Sequence, residues 1–557
     1  IHRWASLKSL LIIIFIIMRK IFPSRRGRIS LFLLWHIFAQ KRSCGPNETE
    51  SAKNEYGKRK KTARVCVKMK ANNRGPALFD AGLSTKKECA RMNFLNVDIP
   101  VKNVPELDKG FVPLGLFFKN YQKGAAKPLC IAVERSGGQI GTYETKIYGT
   151  PEMEQADAYY VDRLVKFLLW SWGGFKVSIC GDDNVAAAIR AAYSEGGSRA
   201  FDKGFMEQAY ETEFIVESLP YDKKPEAVQR AESIGRHLDG GRIGFDAGGS
   251  DRKVSAVLDG EPIYSEEVVW FPKTISNPDY HFEGIMAALS TAAAKILEKG
   301  GHVDAIGVSS AGVYIDNKCM VASLFLKVGK DEFDKKVKNI YTRAAEQLSS
   351  QLGYHIPVVV ANDGDVSALA GAMGLGENGI MGIAMGTSEA VGYVDTEGNI
   401  CGWLNELAFA PVDGQPDAME DEWSGDIGCG VKYFSQDGVI KLAPRAGIEL
   451  TGASPAEKLK EVQALMAADD ARAKAVYESI GVYLGHTLGL YAMFYDIRHV
   501  QMMGRVMSGK GGDIIMETAS RVMDEEYPDV AFRPEAPDEK TRRVGQSAAA
   551  ASLPELK

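Results

Sequence analysis

RIGFDAGGSDRKVSAVLDG, residues 242–260, decides how the rest of the chain is read. Ile243 and Phe245 alternate with smaller or polar neighbours, apolar residues return after Lys253, and Asp246 stands at the break beside Gly248, Gly249 and Ser250. This reads as two strands around a turn. A glycine pair without Cβ lets backbone N–H groups turn toward an anion, and an acid at the same turn suits a bridging cation such as Mg2+. The plainer reading is a hairpin turn with a solvated Asp, so the flanking sequence has to choose.

Downstream, EPIYSEEVVW (261–270) supplies a third strand, and Asp259-Gly260 marks a hairpin whose central residues take positive φ. Asn277-Pro278-Asp279 caps a helix in which Phe282, Ile285, Met286, Leu289, Ile296 and Leu297 recur at helical spacing, and Gly300-Gly301 ends it. Then come a strand (VDAIGVSSAGV, 303–313), a helix over 331–352, a strand (PVVVANDGD, 357–365) and the helix that it runs into. Three meander strands followed by alternating helices and strands describe a mixed sheet with helices packed on it.

The pattern then restarts. IMGIAMG (380–386) and TSEAVGYVD (387–395) are strands around a Gly-Thr-Ser turn, and HVQMMG (499–504) precedes SGKGGDII (508–515), which opens a helix running to about residue 526. A helix that begins at a Gly-rich turn offers free N–H groups and a positive dipole end to a phosphate. Two similar α/β halves, 241–380 and 381–557, with a cleft between them are therefore expected.

Upstream, residues 92–240 read as an α/β extension: two strands around Ser136-Gly137-Gly138, a helix with Tyr160, Leu164 and Phe167 on one face, a strand FKVSIC and a helix DNVAAAIRAAYS. Its order echoes the halves, with Glu134 near the place of Asp246; a structural extension is the favoured reading over a second phosphate site. Residues 1–91 are set aside as a basic and apolar leader, disordered or outside the native protein, with Met69 or Met92 as the native start. Its apolar runs are short for a bilayer, and Arg25, Arg26 and Arg28 follow the first where a signal peptide needs small residues, so no membrane is expected for the folded body.

Composition narrows the class. The chain has 557 residues, is 45% hydrophobic and 25% charged, as in globular proteins of two to four domains. The net charge of -5 conceals an excess of roughly 15 positive charges in residues 1–75, so the acidic remainder has no nucleic-acid partner by charge. Eight Cys without a CxxC pair fit free thiols in the cytoplasm. His281, His302, His355, His486 and His499 lack ligand spacing, the Asn47 sequon carries no meaning in a cytoplasmic chain, and Tyr483, Tyr491, Phe494 and Tyr495 read as core.

Asp246-Ala-Gly248-Gly249-Ser250, the Asn362-Asp363-Gly-Asp-Val-Ser-Ala-Leu-Ala run, Met385-Gly386-Thr387, Asn405-Glu406 and the C-terminal GQSAAAASLP together resemble the ROK family of sugar kinases and sugar-responsive regulators, over about residues 241–557. The resemblance implies a duplicated actin-like ATPase (ribonuclease H-like) α/β fold with an interdomain cleft, binding ATP, Mg2+ and a small-molecule sugar. It makes Asp363 the catalytic base, Asn362 and Glu406 sugar-binding, and Asp246 the Mg2+ ligand. Gly248, Gly249 and Ser250 become the first phosphate loop, Gly386, Thr387 and Ser388 the second, and Gly509, Gly511 and Gly512 the adenosine loop. A homodimer is open to such a protein.

Three departures accompany it. Asp251 stands where the family has Lys after its Gly-Gly-Thr, with Arg252 and Lys253 as candidate substitutes. Glu389 follows the second phosphate loop, where it would repel a triphosphate unless bound to metal. The family's cysteine-rich zinc motif is here Glu422 to Cys429 with Phe409 at the His position, so no structural zinc is expected. Asp363 sits at the carboxyl end of an apolar strand, where clefts open and a base could take a hydroxyl proton; it could equally cap the next helix, although Asp365 is the better cap. Two functions follow: an ATP-dependent sugar kinase, or a non-catalytic sugar-binding or regulatory protein with a weakened ATP site.

Overall fold

The computed structural model describes residues 90–228, 234–537 and 545–556. The expectations for residues 1–89 lie outside the described residues. The described chain opens with a hairpin of β1 (Ala90–Phe94) and β2 (Val97–Val101) and a helix, α1 (Leu114–Tyr121). The extension sheet follows: β3 (Lys127–Arg135), β4 (Gln139–Ile147), α2 (Glu154–Trp172), β5 (Lys176–Cys180), α3 (Asp183–Ala192), α4 (Ala200–Tyr210) and β6 (Ile215–Leu219).

The next segment carries β7 (Gly241–Ala247), β8 (Asp251–Leu258), β9 (Glu261–Val269), α5 (Pro278–Glu298), β10 (Val303–Ser310), a small hairpin β11 (Val313–Ile315) and β12 (Lys318–Val321), α6 (Ile340–Leu352), β13 (Val358–Asn362) and α7 (Asp363–Leu375). The sheet order is β13-β10-β7-β8-β9, with β7–β9 an antiparallel meander and β10 and β13 parallel to β7. Asp259 and Gly260 take φ of 48° and 84°, as the hairpin signal required. Asn277 accepts from the Asp279 N–H at 3.0 Å and caps α5. The helix expected over 331–352 is broken, because its charged first half has little apolar surface to bury before Val337 and Ile340. There the turn widens, with the Lys338 N–H reaching the Phe333 carbonyl and the Lys338 carbonyl taken by the Cys319 N–H of β12.

The last segment holds β14 (Ile380–Met385), β15 (Glu389–Val394), α8 (Gln436–Leu442), α9 (Pro455–Ala467), α10 (Ala471–Tyr491), β16 (His499–Met503), α11 (Lys510–Glu526), β17 (Pro534–Glu535) and α12 (Gln546–Ala551). Its sheet order, β15-β14-β16-β17, has β14 antiparallel to β15 and parallel to β16. This is the arrangement of β8-β7-β10-β13, with no third meander strand after β15 among the described residues. Both sheets are ribonuclease H-like, and the pair forms an actin-like ATPase fold. The extension sheet, ordered β4-β3-β5-β6, only mimics it: β5 runs antiparallel to β3 where β10 and β16 run parallel to their first strands. Glu134, next to last in β3, lies 3.9 Å from Lys176 of β5.

Two packing facts place the site. Residues of the extension (Ile131, Phe167, Trp170) share one continuous apolar core with the last segment (Met385, Leu488, Tyr491), which is why α2 is buried nearly all round instead of on one face. The β7–β13 sheet has its own core around Ile243, Phe245, Leu289 and Ile306. The Ala-rich α12 returns to lie on β7, β8, β10 and α7. Its backbone comes so close that a Cβ at Gly244 would sit 1.7 Å from the Ser547 carbonyl oxygen, and one at Gly307 1.7 Å from that of Ala550.

Candidate functional site

Three parallel strands end at one level of the first sheet. Asp246 of β7 is in register with Ser309 of β10, and Ser310 is in register with Asn362 of β13, so Asp246 and Asp363 leave the same edge two strands apart, about 10 Å at the backbone. Ser309 Oγ donates to Asp246 Oδ1 at 2.9 Å. Gln546, the first residue of α12, donates to Ser309 Oγ at 3.0 Å and to the Asp363 carbonyl at 2.8 Å, tying both strand ends together.

Asp246 is buried, not the solvated turn residue of the plainer reading. Burial pushes its carboxyl up to about 6 against the Ser309 hydrogen bond, and the Asp363 charge adds to the rise. Burial also raises Asp363, opposed by backbone N–H groups and by the charge of Lys273. Two further acids join the cluster. Burial takes Asp365 up to about 7, although it accepts from the Tyr393 N–H at 3.1 Å and from Asn405 Nδ2 at 2.9 Å. Glu406 rises to about 7 through burial and then through the charges of Asp363 and Asp365.

The cap of α7 is Asn362, whose Oδ1 accepts from the Gly364 N–H at 2.7 Å; Asp365, favoured for that task by sequence, instead fastens β15 and the Asn405 loop. Asn362 Nδ2 donates to the Gly312 carbonyl at 2.8 Å. The Asn405-Glu406 loop is carried by the extension: Asn405 N and Glu406 N donate, each at 2.9 Å, to the carbonyls of Ser171 and Trp170 in the last turn of α2, where carbonyls have no helical partner. Tyr495 donates to Asn405 Oδ1 at 3.0 Å. The extension also reaches the first half, through an ion pair between Glu211, just past α4, and Lys338.

The first glycine loop is held from β9. Trp270 Nε1 donates to the Gly248 carbonyl at 2.7 Å, and Trp270 N to the Ser250 carbonyl at 3.1 Å. The second loop is the β14–β15 turn, closed by Gly386 N on the Ser388 carbonyl at 2.9 Å. It abuts the segment after β16, since Val506 N donates to the Met385 carbonyl at 3.0 Å. That segment leads to Gly509 at the start of α11 and to a cavity of about 590 Å³ lined by Gly509, Gly511, Tyr477, Gln436, Leu459 and Arg505. Gly512 is buried behind it. Glu389 is buried in the core, where Tyr491 donates to Oε1 at 3.3 Å and Oε2 has no partner among the described residues. Burial pushes its carboxyl up to about 8, opposed by the Tyr491 hydrogen bond.

Sequence reasoning missed the ion network around residues 422–429. Asp426 meets Arg199 at 2.7 Å, Lys166 at 3.2 Å and Arg163 at 3.7 Å, while Lys166 pairs with Asp202 at 2.9 Å and Asp162 takes Arg163 and Arg199 at 2.8 and 2.7 Å. Phe409 packs on Trp170 and Trp423, with centroids 4.6 and 5.1 Å away. Burial pushes the Cys429 thiol up to about 12. The segment thus docks α2 and α4. Among the described residues no three His, Cys, Asp or Glu side chains form a metal-binding group, and no helix is long and apolar enough to cross a membrane.

Solved structures similar to this chain include ROK-family proteins. The ROK hexokinase of Thermus thermophilus is 17% identical over 56% of this chain and 97% of its own, with a TM-score of 0.42. A ROK-family glucokinase from Streptomyces griseus, solved with glucose and AMPPNP, is 19% identical over 56% and 98%, with a TM-score of 0.40. A ROK-family transcriptional regulator, a homologue of the E. coli MLC protein, is 15% identical over 57% and 79%, with a TM-score of 0.42. No protein-family profile and no curated protein matches the chain.

Proposed function

We propose that the protein is an ATP-dependent sugar kinase in which Asp363 takes the proton of the attacking hydroxyl. The observation that carries this reading is the shared strand-end edge of Asp246 and Asp363, with both carboxyls raised by burial. A hydroxyl is a weak nucleophile, and a base works best when its pKa approaches the working pH. Asn362 and Glu406 flank the base and hold neighbouring hydroxyls; the motif resemblance makes those hydroxyls a sugar's. The N–H groups of Gly248–Ser250 and of Thr387 and Ser388 hold phosphates, and the cavity at Gly509 and Gly511 takes the adenosine.

The donor set suits Mg2+. Asp246, Asp251 and Asp363 interact as like charges, and Mg2+ is commonly held by one or two carboxylates together with substrate phosphates. When bound there, the metal neutralises the charge of the phosphate oxygens. Asp246 holds it, and Ser309 and Gln546 fix the carboxylate's orientation. The second reading, a sugar-binding regulatory protein, is favoured by Asp251 beside the first loop.

An ADP-release assay over hexoses and amino sugars with Mg2+ and ATP separates the two. Asp363→Asn is expected to lower kcat on the order of 10²- to 10⁴-fold while sugar binding persists. Turnover that survives the substitution removes Asp363 from the mechanism, and sugar binding without turnover in the unaltered protein supports the regulatory reading.

A further inference from the structure

Lys273 lies in the turn Pro272–Thr274 just past β9, and its side chain arches over the first glycine loop. A Cβ at Gly249 would sit 2.8 Å from Lys273 Cε and 3.1 Å from Nζ. The turn is pinned: Pro272 is buried, its carbonyl lies 3.0 Å from His281 Nε2, and Trp270 three residues before Lys273 is bonded to the loop itself. The side chain is thus held at the loop by packing, while its exposed ammonium makes no hydrogen bond or ion pair with a described residue.

The other cations nearby are engaged. Lys253 pairs with Asp251 at 3.3 Å, and the Arg252 guanidinium lies 5.9 Å from the Trp270 ring centroid. Lys253 is therefore drawn to Asp251, whereas Lys273 has no ion pair among the described residues. The ammonium beside Gly249 also lies within Coulombic reach of Asp363, whose carboxyl it lowers.

We propose that Lys273 is the phosphate-binding cation of this site, contacting the phosphoryl group between Gly249 and Asp363 and supplying from the end of β9 the charge that position 251 lacks. The proposal rests on the phosphotransfer reading. A flexible lysine held over a loop of free N–H groups suits a phosphate oxygen as a point charge.

The test is titration calorimetry on the full chain with Mg2+-tripolyphosphate and, separately, adenosine. Lys273→Met is expected to weaken tripolyphosphate on the order of tenfold to a hundredfold and to leave adenosine unchanged. Lys273→Arg should stay within a few-fold of the unaltered protein, and Lys273→Met combined with Asp251→Lys should recover most of the loss. Unchanged tripolyphosphate affinity in Lys273→Met, or an equal loss of adenosine, overturns the role of Lys273 and leaves phosphotransfer standing. Absence of tripolyphosphate binding in the unaltered protein overturns both.

Discussion

Two clusters of acids in the protein differ in how their charges are matched. At the junction with the extension, Asp162, Asp202 and Asp426 are matched by Arg163, Lys166 and Arg199 in direct ion pairs. At the strand-end edge, Asp246, Asp363, Asp365 and Glu406 make no ion pair with a described residue: the charge of Lys253 reaches Asp246, that of Lys273 reaches Asp363, and burial raises all four carboxyls. A balanced network can persist without water because each charge meets its opposite. An unbalanced one holds its acids at a cost to folding and suits an arriving cation and a proton acceptor. The first cluster joins two parts of the chain; the second leaves its acids without paired cations among the described residues.

Breaking the balanced network should give the largest change in stability. Asp426→Ala leaves three buried cations short of an anion and is expected to cost about 3–5 kcal/mol in denaturant unfolding. A cost below about 1 kcal/mol would show that the network contributes little to joining the extension. The strand-end cluster should respond with the other sign. Asp246 has its folded pKa raised to about 6 from 3.8, so its contribution is full below about pH 4 and is lost as pH rises to 6. Asp246→Asn is then expected to raise stability at pH 7 by roughly 1–3 kcal/mol while turnover collapses. Destabilisation by that substitution would remove the contrast between the two clusters.

Glu389 sharpens it at smaller amplitude. Its folded pKa of about 8 against 4.5 means that stability is lost progressively from about pH 4.5 to 8. Glu389→Gln should flatten that slope and be the more stable protein at pH 8, with kcat/KM for ATP nearly unchanged. A marked fall in ATP affinity would place Glu389 in the phosphate site after all.

Much of this was legible locally. Alternation, the Asp-Gly hairpin, the Asn277 cap and the two Gly-containing strand turns depend on residues within a few positions of each other, and they yielded the strands, their order and the candidate loops. The charged run before α6 signalled a weak helix, but the position of the break was not legible, because Cys319 of β12 takes the Lys338 carbonyl there. Lys273 was missed because its relation to Gly249 spans β8 and β9 and carries no motif. The ion network was missed because its members come from three separate stretches, and each charge alone reads as a solvated surface residue.

The sequence by itself determined which segments alternate, turn and cap, and which acids follow apolar strands, since backbone geometry and side-chain period are properties of neighbours. Tertiary structure alone decided strand direction in the extension, which made β3–β6 a support instead of a third copy of the fold. It also decided the charge of Glu389, the partner of Asp426 and the reach of Lys273, because burial and Coulomb energies depend on what packs against a group from elsewhere in the chain.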